Sequence, residues 1–169
     1  SACNPVIISG PTLHFTFILS LIAALLLQLV ELPEILSGAR PMWLPLIVAY
    51  WALTESRTHV LLGAFFAGLA ADVCFGTTLG QHELGLIMVA YLVTRLRPIF
   101  VLFPLWQATL ALIPVWLLYS FLMFWIDGIT MHRADDWLRW MPVISTSLFW
   151  PLVFALLEIF RGDRRRDDE

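Results

Sequence analysis

Lysine is missing from this chain altogether: all ten of its basic residues are arginine. Charge of either sign is scarce, at 14% of residues, where a soluble domain carries roughly a quarter. Hydrophobic residues supply 60% of the chain, so it reads as an integral membrane protein in one domain. No broad basic face exists on which a nucleic acid could lie. The two cysteines, Cys3 and Cys74, stand far apart in terminal and apolar contexts. They read as a terminal thiol and a small buried hydrophobe, not as a disulfide or a metal site. Without a lysine or a preceding strand, Gly76-x-x-x-Gly80 is not a phosphate loop. Residues 1–13 contain no basic residue, and no small-x-small cleavage site follows them. The first apolar run is therefore expected to be a spanning helix and not a signal peptide.

What the chain does have is a series of apolar segments of unequal length. They run over about 14–30, 42–53, 60–74, 83–94, 99–126 and 140–160. Residues 1–161 are read as a single membrane domain and 162–169 as a disordered cytoplasmic tail. The first segment ends at Glu31-Leu32-Pro33-Glu34, because the residue before a proline disfavours helix. The second is too short for a comfortable crossing. Joining it to the third would give a helix of roughly 50 Å with Glu55 and Arg57 at its centre, so two short helices meeting at a polar turn are expected. Arg95-Leu96-Arg97-Pro98 is read as the end of the fourth segment. Trp43, Trp51, Trp125, Trp137, Trp140 and Trp150 lie near segment ends, as in an interfacial belt. With six crossings both termini share one side. That side collects Arg57, Arg95, Arg97, Arg161, Arg164, Arg165 and Arg166, against Arg40, Arg133 and Arg139 opposite, which places both termini in the cytoplasm. A four-crossing arrangement, with the second and third segments as a re-entrant pair, keeps the termini where they are.

The polar centre of the sequence is the turn from Gly68 to His82, which holds Asp72, Gly76, Gly80, Gln81 and His82 between two apolar segments. An aspartate within a membrane segment faces protein or water, because exposing it to lipid is costly. The reading that needs least is structural: Asp72 accepts bonds from backbone amides of the Gly76–Gly80 turn. A share in a partner interface, or ligand or proton handling, are the alternatives. On the same segment Gly63, Ala67, Gly68 and Ala71 form a small-residue face that lets another helix approach, within the chain or from a partner. Asp72 and Glu83 could approach as a carboxylate pair, but no nucleophile with an obvious base accompanies them. His82 beside Glu83 is weak evidence for a metal site. Gln107, Thr109, Tyr119 and Ser120 make a poor second cluster. Glu158 is read as snorkelling or pairing with Arg161. No enzyme activity, cofactor or metal is expected.

Three stretches carry a resemblance: Arg40-Pro41-Met42-Trp43-Leu44-Pro45, then Gly68-x-x-x-Asp72-Val73-x-x-Gly76-x-x-x-Gly80-Gln81-His82, then Ala90-Tyr91-Leu92-Val93. Together they resemble the rod shape-determining protein MreD family, in its proteobacterial form, over about residues 12–161. The resemblance implies a non-enzymatic inner-membrane subunit of the elongation (rod) complex. It would bind the spanning helix of MreC and act with MreB, RodZ, the SEDS-type glycan polymerase and its transpeptidase in lateral peptidoglycan synthesis. It also implies an all-α fold of six unequal transmembrane helices, similar to the substrate-binding subunits of energy-coupling-factor transporters. A vitamin- or lipid-binding transport subunit on that fold is the other reading.

Overall fold

The structure, a computed structural model, describes residues 11–31, 33, 35, 38–130 and 138–167. Six α-helices stand among the described residues: α1 Pro11–Leu29, α2 Trp43–Thr54, α3 Arg57–Phe75, α4 Gln81–Leu102, α5 Leu105–Ile129 and α6 Met141–Asp167, the last led in by a 3-10 turn at Leu138–Trp140. The fold is all-α, as expected. Among the described residues three helices are long and apolar enough to cross a membrane: α3, α5 and the Met141–Phe160 part of α6. Their outer faces leave Phe66, Val73, Leu117, Phe121, Ile144 and Leu148 exposed, a pattern suited to lipid as solvent.

The bundle is built around α2. Every side chain from Leu44 to Ala52 is buried, as befits a helix that is apolar all round. It touches α1, α3, α4 and α6. At twelve residues it is roughly 18 Å long. Because neighbours sheathe it, its length answers to them and not to the thickness of a bilayer. A short buried helix must still satisfy the free amides and carbonyls at its ends, and other helices do this with side chains. The Met42 amide donates to Thr146 Oγ1 on α6 at 2.9 Å, and the Leu44 amide donates to Gln28 Oε1 on α1 at 3.2 Å. At the far end Arg97 of α4 donates through Nε and Nη2 to the Ala52 carbonyl at 3.1 and 2.5 Å, and through Nη2 to the Glu55 carbonyl. A cation there also complements the helix dipole. Tyr50 donates to Glu158 Oε1 at 2.9 Å, joining α2 to α6.

Arg97→Leu is therefore expected to destabilise the protein by about 2–4 kcal/mol, since two buried carbonyls lose charge-assisted donors. Arg97→Lys should lose less. Unfolding by SDS titration in mixed micelles measures both, and equal stability of Arg97→Leu and the parent would refute this capping role.

Several sequence expectations are corrected. The fourth helix does not end at Thr94 but passes through Pro98 to Leu102. Pro98 is exposed inside this helix, and its missing N–H removes a single helical bond. The break falls instead at Phe103, which is extended, and α5 starts after Pro104 at Leu105 rather than at residue 99. Its end extends to Ile129, which brings Asp127 into the helix. The backbone of α6 stays helical to Asp167, where a disordered tail from 162 was expected; arginine is a good helix former and suits a helix C-terminus. Trp51 and Trp150 are not interfacial but fully buried, Trp51 donating to Ser20 Oγ at 2.8 Å. Cys74 is exposed, because it faces outward beside Val73 while Ala71 and Asp72 face inward. Cys3, Arg133 and Trp137, together with residues 168–169, lie outside the described residues, as does the side chain of Arg161, expected to pair with Glu158.

Candidate functional site: a buried carboxylate at the α3–α4 hairpin

Two glycines make the hairpin possible. Gly76 (φ 64°) closes α3 in the left-handed region, its amide bonded to the Asp72 carbonyl, and Gly80 (φ 96°) opens α4. Any side chain at these φ values is strained. The turn between them returns the chain so that the first amides of α4 face the last turn of α3.

Asp72, 1% exposed, occupies that junction. Its Oδ2 accepts the Gly80 amide at 2.8 Å. Its Oδ1 accepts the His82 amide at 3.0 Å and the Thr77 hydroxyl at 2.9 Å, and lies 2.8 Å from His82 Nδ1. With its proton on Nδ1, the His82 imidazole completes the set. An aspartate capping a helix N-terminus is ordinary chemistry; here the cap comes from the preceding helix, and its negative charge meets the positive end of the α4 dipole. Four donors engage the two oxygens, close to the capacity of a carboxylate.

A second polar tie begins at the next residue. Gln81 Nε2 donates to Asp127 Oδ1 on α5 at 2.8 Å, and Asp127 Oδ2 pairs with Arg139 Nη1 at 2.8 Å. The Arg139 guanidinium also sits 5.5 Å from the centre of the Phe124 ring, a cation–π contact. Sequence reading assigned Asp127 and Arg139 to a loop and missed this tie. The available signal was register: Tyr119, Met123 and Asp127 are spaced i, i+4, i+8 on one helix face. The first two meet Gly85, and Met123 and Asp127 meet Gln81.

The small residues of α3 point into the chain. A Cβ on Gly68 would overlap the Glu83 backbone, coming within 2.6 Å of its amide nitrogen, and a Cβ on Gly63 would strike the Phe17 ring of α1. Ala64 and Ala71 are fully buried, and Ala67 is partly so. Gly85, not singled out from sequence, performs the same service between α4 and α5.

Of the residues considered for chemistry, Asp72 and His82 come together while Glu83 contributes its backbone to the Gly68 contact. Among the described residues no cluster of three His, Cys, Asp or Glu side chains is placed to hold a metal. Thr109 donates to the Leu105 carbonyl and Ser120 lies against Met42, whereas Tyr119 packs on Gly85 within electrostatic reach of Asp72, so the three do not gather as one cluster.

An all-helical membrane protein whose buried polar side chains serve to join one helix end to another is what this fold and site define. Within that class the assignment is specific. The model of the family described as rod shape-determining protein MreD matches residues 10–160, and the chain belongs to that family, whose members are shape-determining structural proteins and not enzymes. The rod shape-determining protein MreD of Haemophilus influenzae is 28% identical over 148 residues, covering 87% of this chain and 91% of that protein. No solved structure matches the chain.

Proposed function

We propose that this chain is a multi-pass subunit of the bacterial inner membrane that serves as a scaffold in the elongation complex. In this reading both termini are cytoplasmic, it receives the spanning helix of MreC, and it works with MreB, RodZ, the SEDS-type polymerase and its transpeptidase to control lateral peptidoglycan synthesis. The observation that carries the reading is membership of the shape-determining family over nearly the whole chain. It is supported by the engagement of Asp72, Gln81 and His82 with protein partners, which leaves little polar chemistry for a small molecule at that end of the bundle. A vitamin-transport reading therefore gains nothing there. The likeness to substrate-binding subunits of energy-coupling-factor transporters stays part of this proposal.

Gly63 and Gly68 are occupied by α1 and α4, so the face of α3 left for a partner is the outer one, with Leu62, Phe66 and Val73 exposed. Site-by-site cysteine crosslinking in cells tests this, in a Cys74→Ser background because Cys74 is itself exposed. Crosslinks to the MreC spanning helix are expected from positions 62, 66 and 73 and not from 68. Crosslinks confined to α1, α5 or α6 would place the interface elsewhere, and cells that keep their rod shape without this protein would refute the scaffold role itself.

A further inference from the structure

The hairpin lies at one end of the bundle, and an open cavity lies at the other. A cavity of about 210 Å³ opens between the C-terminal ends of α2 and α4 and the start of α5, with α6 as its back wall. Leu53, Phe100, Phe103, Leu105, Ala108 and Phe154 make it apolar. Trp150 and Arg97 share the lining. Trp150 is 0% exposed and its indole N–H has no acceptor, an arrangement that costs roughly 1–3 kcal/mol when unrelieved. Arg97 lines the space with Nη1 still free, its other nitrogens being bonded to Ala52 and Glu55.

The volume is below the several hundred Å³ of a drug-sized pocket, but it suits a segment of hydrocarbon chain. The rim points the same way. Leu102, Phe103, Leu105 and the neighbouring Trp106 are exposed around the extended Phe103-Pro104 link, so the mouth is apolar where a soluble ligand would meet water. Charge decides the head. Among the described side chains at this end of the bundle Arg57, Arg95 and Arg97 outnumber Glu55 and Glu158, and Glu55, though a charged neighbour of Arg97, does not line the cavity. An arginine at the border of an apolar slot, with Nη1 left to donate, suits a phosphate oxygen.

We propose that this cavity is a binding site for an anionic phospholipid, with its phosphodiester on Arg97 and an acyl chain between Phe100, Phe103, Phe154 and Ala108. The site is independent of the proposed scaffold role and lies at the end of the bundle opposite Asp72.

Native mass spectrometry of the full chain released from detergent micelles tests this with phosphatidylglycerol, phosphatidylcholine and inorganic phosphate. A single phosphatidylglycerol is expected to stay bound under activation that removes phosphatidylcholine. Ala108→Phe, which fills the cavity, should weaken that binding about tenfold, whereas Leu148→Phe on the exposed face of α6 should leave it unchanged. Equal retention of the two lipids, undiminished binding by Ala108→Phe, or complete competition by inorganic phosphate would each overturn the proposal. A second readout needs no cavity-filling variant. Phosphatidylglycerol brominated in its acyl chain should quench the fluorescence contributed by Trp150, taken as wild type minus Trp150→Phe, more than brominated phosphatidylcholine does. Equal quenching by the two would also overturn it.

Discussion

Asp72→Leu is expected to cost about 3–5 kcal/mol of stability, the range seen when one partner of a buried charged network is removed. Four donors lose their acceptor together: the Gly80 and His82 amides, the Thr77 hydroxyl and His82 Nδ1. Water can replace it only in part, because Asp72 itself is buried although Thr77, Gly80 and His82 around it are partly exposed. Asp72→Asn keeps one carbonyl acceptor but turns an amide N–H₂ toward the remaining donors, so its cost should be about 1–3 kcal/mol. The ordering, leucine well below asparagine and asparagine below the parent, is the content of the prediction. SDS-titration midpoints in mixed micelles measure it, and rescue of rod shape in cells lacking the parent protein should follow the same order. Two variants as stable as the parent would mean that the carboxylate does not hold the hairpin.

Gly68→Ala should be almost as damaging, at about 3 kcal/mol, although it adds a single methyl group. Overpacking usually costs about 1–3 kcal/mol because side chains can shift. Here the obstacle is the backbone of Glu83, which cannot rotate away without separating α3 from α4 and pulling Gly80 and His82 off Asp72. Gly63→Ala should be milder, since the atoms it meets belong to the Phe17 ring, which can turn aside. Thermal unfolding of the two variants in the same detergent compares them directly. A Gly68→Ala protein no less stable than Gly63→Ala would show that the α3–α4 approach is looser than described. The same geometry bears on partner assays. Loss of MreC co-purification by Gly68→Leu reports on the partner only when scored against the fraction of folded protein.

Much of the hairpin was legible in the order of residues. An aspartate in an apolar segment, followed at four and eight positions by glycines, leaves few structures other than a tight turn around a carboxylate. The expected backbone acceptor role for Asp72 has its counterpart in the Gly80 bond, and the structure adds His82, by both its amide and its ring. Boundaries read from proline were less secure. Pro98 and Pro104 look alike in sequence and both are exposed, yet α4 runs through Pro98 and the chain breaks at Pro104, where Phe103 is extended. Tryptophans near segment ends suggested an interfacial belt, and Trp51 and Trp150 are in the core because the helices bearing them are enclosed by others.

By itself the sequence determined that this is a helical membrane protein of the shape-determining family, with six apolar segments and one acidic hairpin, since composition, segment length and the glycine spacing are local properties. Only the tertiary structure decided that the second segment is the enclosed centre of the bundle, that Gln28, Thr146 and Arg97 finish its ends, and that Asp127 belongs to a helix and holds Gln81. Each of those pairings joins residues distant along the chain, and a backbone group freed at a helix end does not specify in sequence which other helix will satisfy it.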